Sequence, residues 1–190
     1  MRIAVTGGIG SGKSEVIKVI SSLGYNCISS DEINKSILQN AEYISKIAKN
    51  FPTAVKNNKI DKRELSKIVF TNKQKLQLLN SIAHPIIRKI SLELSCDNSI
   101  NFVEVPLLFE CGFETDYNKV VLVSADLETR VGRASKRDNK SKEEIISIIN
   151  NQIKSYEGKK IDYTIINNGS IKDLTKKVKQ LIISIKNDVL

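Results

Sequence analysis

The sequence predicts an α/β fold in which a five-stranded parallel sheet is flanked by helices. Five short segments rich in β-branched residues alternate with longer segments whose apolar residues recur at helical spacing. The segment at 119–123 is an apolar run after its first lysine, which is typical of a strand buried on both faces. Strands that alternate with helices form parallel sheets through right-handed crossovers. The predicted strands lie near residues 2–6, 25–28, 101–106, 119–123 and 162–166.

A glycine-rich loop follows the first predicted strand. Residues 7–14 read G-G-I-G-S-G-K-S and match the P-loop pattern G-x-x-x-x-G-K-[ST]. We expect Gly7, Gly8, Gly10 and Gly12 to adopt conformations that residues with a Cβ atom avoid, so that loop N–H groups face phosphate oxygens. A chance glycine-rich turn is the alternative, but a strand precedes the loop and a helix follows it, as the motif requires. The sequence therefore predicts a P-loop NTPase fold that binds a nucleoside triphosphate.

The last two residues of the motif carry the side-chain chemistry. Lys13 is expected to reach the outer phosphates, and the Ser14 hydroxyl is the expected Mg²⁺ ligand. The helix that begins near Lys13 adds the positive end of its dipole to the same site.

Length and composition limit the remaining possibilities. A chain of 190 residues has the size of one main domain with a smaller insertion. Its net charge of +9 comes mostly from scattered lysines, with six arginines and 5% aromatic residues, which argues against nucleic-acid binding. No apolar run approaches about 18 residues, so no membrane span is expected. Three distant cysteines without metal spacing, and an N-terminus that enters a strand instead of a secretory signal, favour the cytoplasm.

Helical patterns interrupt the predicted sheet twice. A block at about 39–100 lies between the second and third strands, and a helical hairpin at about 127–159 carries Arg130, Arg133 and Arg137. The predicted core of this single domain, residues 1–190, then comprises about 1–38, 101–126 and 160–190.

Local signals divide the inserted block into helices. Residues 56–58, Lys-Asn-Asn, predict a loop, and Asp61-x-x-Glu64 resembles a capping box that opens a helix. Pro85 is expected to end one helix after His84 and to be the first residue of the next.

Three polar residues are candidates for a site, and each has a structural alternative. Asp31 follows the second strand, where the ligand crevice of a parallel sheet opens, but it also suits a helix N-cap. Glu110 comes just after the third strand and is otherwise a solvated loop carboxylate. His84 is the only histidine and lies at the predicted helix junction, where a structural role is the alternative.

The class of P-loop protein follows from its other motifs. GTPases carry a guanine-reading N-K-x-D, and no Asn-Lys pair in this sequence is followed by Asp at that offset. ATP-driven motors usually have a strand that ends in an acidic Mg²⁺ ligand, whereas the strand at 101–106 ends in Val105-Pro106. A short chain with a helical insertion and an arginine-bearing hairpin has the anatomy of a small-molecule kinase. The insertion would bind the acceptor, and the hairpin would close as a lid.

The sequence resembles the dephospho-CoA kinase family along nearly its whole length. The P-loop alone is shared by many families, and the combination of segments is much more specific. The segments are V-T-G-G-I-G-S-G-K-S at 5–14, Asp31, I-D-K-R-E-L at 60–65, I-A-H-P-I-I at 82–87, V-P-L-L-F-E at 105–110, R-x-x-x-R-D at 133–138, Gln152 and D-Y-T-I-I-N-N-G at 162–169.

The resemblance implies a phosphotransferase that moves the γ-phosphate of ATP, with Mg²⁺, to the ribose 3′-hydroxyl of dephospho-CoA. It implies that Lys13, Asp31 and Arg137 are catalytic, with Asp31 orienting or deprotonating the acceptor hydroxyl and Arg137 closing over the transferred group. The implied ATP-binding residues are Gly8, Ile9, Gly10, Ser11, Gly12, Lys13, Ser14, Glu15, Arg133 and Arg137. The implied acceptor-binding residues are Asp31, Arg63, His84, Arg88, Leu108 and Glu110, and the implied metal ligand is Ser14.

Three features depart from the family's pattern. Ser29 stands where the family has the first aspartate of D-x-D, Glu15 replaces a threonine, and the segment between Gln152 and Asp162 is about one residue short. A nucleoside or nucleotide kinase of similar anatomy and a non-catalytic P-loop protein that binds nucleic acid are the alternatives. The expected protein is a cytoplasmic monomer or weak homo-oligomer that acts on a small molecule, without a nucleic-acid or membrane partner.

Overall fold

The computed structural model describes residues 1–95, 99–153 and 155–188, without the side chains of Ser30, Asp31, Phe70 and Lys73. The chain divides into two compact units. One unit comprises Met1–Ser29 and Ser95–Leu190, and the other comprises Ser30–Leu94. We call the first the sheet unit and the second the helical unit.

Strands and helices alternate along the chain. The strands are β1 (Arg2–Thr6), β2 (Asn26–Ile28), β3 (Val55–Lys56), β4 (Lys59–Ile60), β5 (Asn101–Glu104), β6 (Lys119–Ser124) and β7 (Tyr163–Ile166). The α-helices are α1 (Lys13–Ser22), α2 (Ser30–Gln39), α3 (Ala41–Asn50), α4 (Lys62–Phe70), α5 (Lys73–Glu93), α6 (Leu127–Asp138), α7 (Lys142–Asn150) and α8 (Ile171–Asn187).

The sheet unit contains the predicted five-stranded parallel sheet, which confirms the predicted fold class. The strand order is β2-β5-β1-β6-β7. In the central strand, Val5 pairs with Glu104 of β5 on one side and with Val121 of β6 on the other. The chain leaves β1 toward one edge of the sheet and later crosses to the opposite side. The carboxyl end of β1 is therefore where open sheets of this kind bind ligands.

The core of the sheet unit lies between the central strands and two helices. Ile3 and Val5 of β1 are completely buried, as are Val16 and Ile20 on one face of α1. Helix α8 packs against α1 and adds the buried Val178. Burying a side chain of this size stabilises a fold by about 1.5–3 kcal/mol, so this layer holds β1 and α1, and the loop between them, in place.

The helical unit contains α2 to α5 and a small antiparallel hairpin. Val55 of β3 pairs with Ile60 of β4, so the segment predicted only as a loop at 56–58 is part of a hairpin. Asn57 and Asn58 have φ values of 50° and 58°, which form the two-residue turn that matches strand twist. Asparagine tolerates this left-handed conformation better than most residues, which explains the Asn-Asn pair.

The prediction that Pro85 separates two helices is wrong, because α5 runs without interruption from Lys73 to Glu93. A proline inside a helix removes one backbone hydrogen bond and costs about 3 kcal/mol. The apolar residues Ile82, Ile86 and Ile90 lie at intervals of four on both sides of Pro85, and all three are buried. Burial of this continuous face outweighs the local cost of the proline.

Two further helices lie between β6 and β7. Helices α6 and α7 pack through Val131, Ala134 and Ile145, which form a small separate core. Ser141 and Glu144 form a reciprocal capping box that fixes the start of α7. Among the described residues, no helix combines the length and the apolar character that crossing a membrane would require.

Candidate active site

The phosphate loop, residues 7–14, connects β1 to α1 at the carboxyl edge of the sheet. Gly10 and Gly12 have φ values of 75° and 96°, and Gly12 caps the start of α1 in the left-handed conformation. A Cβ atom on Gly10 would lie 2.2 Å from the backbone oxygen of Arg130, and one on Gly12 would lie 2.2 Å from Nδ2 of Asn167. These glycines are therefore required both by the turn and by the close approach of neighbouring chain segments.

The expectation of an unusual backbone conformation is wrong for Gly8, whose φ is not positive. Its small size has a different cause, since a Cβ atom there would lie 2.2 Å from Nη2 of Arg130. A side chain at position 8 would therefore displace the guanidinium group that lies against the loop.

Lys13, the first residue of α1, is 9% exposed. Its Nζ atom donates hydrogen bonds to the carbonyl oxygens of Gly7, at 2.8 Å, and Gly8, at 3.0 Å. The ammonium group is thereby held over the beginning of the phosphate loop.

The charges around Lys13 partly compensate for its burial. Burial lowers the pKa of Lys13 to about 8, and the negative charge of Glu104 opposes this shift. Arg137 and Arg130 lower the pKa of Lys13 further, and Glu110 raises it. Two carboxylates and three cationic side chains therefore act on one another beside the phosphate loop.

Ser14 is hydrogen-bonded to a carboxylate that the sequence reasoning missed. Its hydroxyl donates to Oε1 of Glu104 at 2.9 Å, and Glu104 is 6% exposed. The prediction extended the third strand to Pro106, but β5 ends at Glu104. The contrast with motor proteins, which rested on a strand ending in Val105-Pro106, is therefore wrong, because this strand does end in an acidic residue.

Ser14 and Glu104 suit a magnesium ion. A hydroxyl and a carboxylate oxygen at hydrogen-bonding distance are the hard oxygen donors that Mg²⁺ prefers. Among the described residues, no group of three or more His, Cys, Asp or Glu side chains could hold a metal ion. Such a pair matches the usual mode of Mg²⁺ binding in phosphoryl-transfer sites, where one or two protein ligands are completed by water and phosphate oxygens.

Arg133 donates its hydrogen bonds to backbone carbonyl groups that lie outside the phosphate loop. Its Nη1 donates to the carbonyl of Asn167 at 2.8 Å, and its Nη2 donates to that of Gly169 at 3.4 Å. The side chain of Asn167 in turn donates to the carbonyl of Ser11 at 2.9 Å. Arg133 thus fixes the β7–α8 connection, and that connection supports the loop.

Arg137 lies in the last turn of α6. Its guanidinium makes a two-point pair with the carboxylate of Asp138 at 2.7 and 2.8 Å, and its side chain remains 62% exposed. The hydrogen bond from Arg137 lowers the pKa of Asp138, and the same bond raises the pKa of Arg137. Its effect on Lys13 places this exposed charge within electrostatic range of the phosphate loop.

Leu108 and Glu110 lie in the turn that follows β5. Leu108 is completely buried, so its side chain is not exposed to a ligand in this structure. Oε1 of Glu110 accepts a hydrogen bond from the backbone N–H of Ile153 at 3.1 Å. Glu110 therefore joins this turn to the segment after α7.

The remaining predicted acceptor residues lie in the helical unit. Arg63 is exposed in the first turn of α4, and the exposed Arg88 is one turn after His84 on α5. Burial lowers the pKa of His84, so its imidazole is neutral at pH 7. The backbone of Asp31 belongs to α2, but its side chain lies outside the described residues.

The helical unit also contains a cavity of about 530 Å³. Its walls are mostly apolar and include Ile37, Leu65 and Leu76, while Lys35 and Lys62 add positive charge. None of Arg63, His84 and Arg88 lines this cavity.

Comparison with known proteins decides the family. A family model described as dephospho-CoA kinase matches residues 1–173. The chain belongs to the dephospho-CoA kinase family. A dephospho-CoA kinase of Fusobacterium nucleatum is 38% identical over 186 residues, which cover 95% of this chain and 96% of that protein.

Two solved structures extend the family likeness to three dimensions. A crystal structure of a Thermus thermophilus protein has a TM-score of 0.81 at 34% identity and covers 97% of both chains. A dephospho-CoA kinase structure from Campylobacter jejuni has a TM-score of 0.71 at 34% identity, covering 100% of this chain and 98% of that one. The family resemblance predicted from the sequence is therefore confirmed.

Four residues around the loop were not predicted as site residues. A signal was present for Glu104, because it is an acidic residue in an otherwise apolar strand segment. Arg130 shares its helical spacing with Arg133 and Arg137, so spacing alone did not separate the three. Gln152 and Asn167 lie in family-like segments but have no motif that reveals a contact with a loop so distant in sequence.

The pKa of Lys13 predicts how nucleotide affinity depends on pH. Because the ammonium group of the free protein loses its proton above about pH 8, we expect the Kd for ADP to rise between pH 8 and pH 9.5, by at most about tenfold per pH unit. Calorimetric titration with ADP, without divalent cations, measures this change. The folded chain loses this proton before the unfolded chain, so Lys13 also makes the free energy of unfolding rise between about pH 8 and 10.5.

Lys13→Met is the control for this prediction. The variant binds ADP more weakly and lacks the rise in Kd above pH 8, because the titrating group is gone. An equally steep rise in the variant would assign the pH dependence to another residue.

Glu104→Gln tests the Ser14–Glu104 pair. We expect kcat/KM for Mg-ATP to fall by about 10²-fold, since the charge that orients the serine and suits a divalent cation is lost. The assay is run at pH 6.5, with the Mg²⁺ concentration varied, and ADP affinity without metal is measured in parallel.

Metal-free ADP affinity of Glu104→Gln should change by less than about threefold. Glu128→Gln removes the same charge from an exposed position on α6 and serves as the matched control. A normal response of Glu104→Gln to Mg²⁺ would remove Glu104 from the metal site.

Proposed function

We propose that this protein transfers the γ-phosphate of ATP to the ribose 3′-hydroxyl of dephospho-CoA, giving coenzyme A and ADP. The family match over residues 1–173 is the observation that carries the proposal. The phosphate loop with its buried lysine and the Ser14–Glu104 pair supply the parts that phosphoryl transfer needs.

The sheet unit holds the nucleotide in this proposal. Loop N–H groups and Lys13 bind the outer phosphates of ATP, and the positive end of α1 adds to the attraction. Ser14 and Glu104 would hold Mg²⁺, and the ion would supply positive charge beside the phosphate oxygens. The predicted ATP-binding role of Arg133 is indirect, since its bonds to the β7–α8 connection support the loop.

Asp31 and Arg137 act on the transferred group. Asp31 accepts the proton of the 3′-hydroxyl as the new O–P bond forms and the bond to the β-phosphate breaks. Arg137 exchanges its pairing with Asp138 for the transferred phosphate and stabilises the charge in the transition state. Because Arg137 is exposed and lies near the end of α6, the segment at about 127–159 suits the role of a lid.

The insertion at about 39–100 binds the acceptor in this proposal. Arg63 and Arg88 offer exposed positive charge for the pyrophosphate of dephospho-CoA. The neutral imidazole of His84 provides one donor and one acceptor nitrogen for hydrogen bonds. Glu110 provides a carboxylate. The protein works as a cytoplasmic monomer or weak homo-oligomer on a small molecule, without nucleic acid.

ADP release with a panel of acceptors tests the function. The protein is incubated with Mg-ATP and dephospho-CoA, a nucleoside, a nucleotide or an oligonucleotide. We expect strong stimulation by dephospho-CoA alone, and a product that carries a 3′-phosphate by mass spectrometry and NMR. Stimulation by nucleosides or nucleotides instead would favour another small-molecule kinase, and a response to the oligonucleotide alone would reject the proposal.

Variants of Asp31 and Arg137 separate proton removal from charge stabilisation. Asp31→Asn should lower kcat by at least about 10²-fold, and Arg137→Ala by about 10³-fold, while both keep the Kd for ATP within about threefold of wild type. Lys136→Ala removes a neighbouring exposed charge and should change neither value. Unchanged turnover in either site variant would remove that residue from the chemistry, and equal losses of affinity and turnover would indicate simple nucleotide binding.

A further inference from the structure

Both backbone polar groups of Ile9, near the start of the phosphate loop, are hydrogen-bonded to side chains. Nε of Arg130 donates to the carbonyl oxygen of Ile9 at 3.0 Å. The N–H of Ile9 donates to Oε1 of Gln152 at 2.9 Å. Nη2 of Arg130 lies 3.5 Å from the same Oε1, so the two side chains and the Ile9 residue form a closed set of hydrogen bonds.

The loop is shaped to accept these two side chains. A Cβ atom on Gly8 would lie 2.2 Å from Nη2 of Arg130 and 3.2 Å from Oε1 of Gln152. A Cβ atom on Gly10 would meet the backbone oxygen of Arg130 at 2.2 Å. The absence of a side chain at Gly8 and Gly10, on both sides of Ile9, thus leaves the space that Arg130 occupies.

The two side chains come from different parts of the hairpin. Arg130 lies in the first turns of α6, and Gln152 lies just after α7. The turn after α7 is itself held, because the N–H of Ile153 donates to Glu110. The two backbone polar groups of Ile9 are therefore held by side chains from both ends of this hairpin.

The position of Arg130 differs from that of the other two arginines on α6. Arg133 donates to the β7–α8 connection and Arg137 pairs with Asp138, whereas Arg130 lies against the phosphate loop itself. Its charge acts on Lys13, so a second fixed cation is present beside the phosphate-binding lysine.

We infer that Arg130 and Gln152 are positioning residues of the phosphate site, which together fix the Ile9 half of the loop in the conformation that receives the nucleotide. The inference rests on the proposed function only in taking a nucleotide as the ligand. A loop that is already ordered loses less conformational freedom on binding, so the nucleotide binds more tightly. A loop displaced by an ångström would lower the rate as well.

Gln152→Leu and Arg130→Met, singly and combined, test the inference through ADP binding measured by calorimetry. Leucine and methionine keep much of the side-chain volume and remove the hydrogen bonds. Each single variant should raise the Kd for ADP by about tenfold. The Kd of the double variant should exceed the higher of the two single-variant Kd values by no more than about threefold, because the two residues act as one unit. The KM for dephospho-CoA should stay within about twofold of wild type.

Amide NMR provides a readout that does not depend on activity. The Ile9 N–H should exchange slowly with solvent in the wild-type protein and at least about tenfold faster in Gln152→Leu, because its acceptor is lost. The Nε–H of Arg130 should likewise exchange slowly with solvent in the wild-type protein. Its NMR signal should be weaker in Gln152→Leu because exchange is faster there. Lys136→Met removes an exposed charge from the same helix and should leave all these values unchanged.

The possible outcomes separate this inference from the proposed function. Single variants that bind ADP normally, or a double variant whose loss is the product of the single losses, would overturn the inference. If Gln152→Leu does not fold, as judged by circular dichroism, Gln152→Ala and the wild-type exchange rate of Ile9 decide instead, and a rapidly exchanging Ile9 N–H would overturn it. Absence of dephospho-CoA phosphorylation with these ADP effects intact would reject the proposed substrate and leave the inference standing.

Discussion

The close approach of other chain segments to the phosphate loop is the constraint on which the site depends. The backbone of Arg130 and the side chain of Asn167 each occupy the space that a Cβ atom would need, at Gly10 and Gly12 respectively. The glycines of the motif are commonly explained by the phosphate that they receive. In this protein they are also required by the scaffold, because α6 and the β7–α8 connection brace the loop from outside. Rigidity of this kind lets backbone N–H groups keep their direction without a bound ligand.

Electrostatic balance is the second constraint on the site. Lys13 is buried, and burial of a cation is unfavourable unless other charges compensate. Glu104 and Glu110 provide negative charge, whereas Arg130 and Arg137 add to the positive charge. The surplus of cations is unfavourable in the free protein and becomes favourable when a triphosphate enters. Binding of the nucleotide and stability of the sheet unit are therefore coupled.

Periodicity and turn residues were enough to predict the five parallel strands. The apolar signal is clearest in the inner strands β1, β5 and β6, which are almost entirely buried. Local signals failed where tertiary packing outweighed them. Pro85 suggested a helix boundary, yet the isoleucine face of α5 continues through it. Glu104 was overlooked because its importance comes from its position beside Ser14, and strand register is not visible in one sequence. The three arginines of α6 share one spacing and have three different sets of partners, which only the fold distinguishes.

The bond from Asn167 to Ser11 joins residues 156 positions apart in the sequence. During synthesis at 5–20 residues per second, roughly 8–30 s separate the appearance of these two residues. The nascent chain therefore exposes a glycine-rich loop long before its braces exist. The last brace, Asn167, directly follows β7, the strand that completes the sheet. A chain interrupted before this point has the whole P-loop motif and lacks the bond from Asn167 to Ser11.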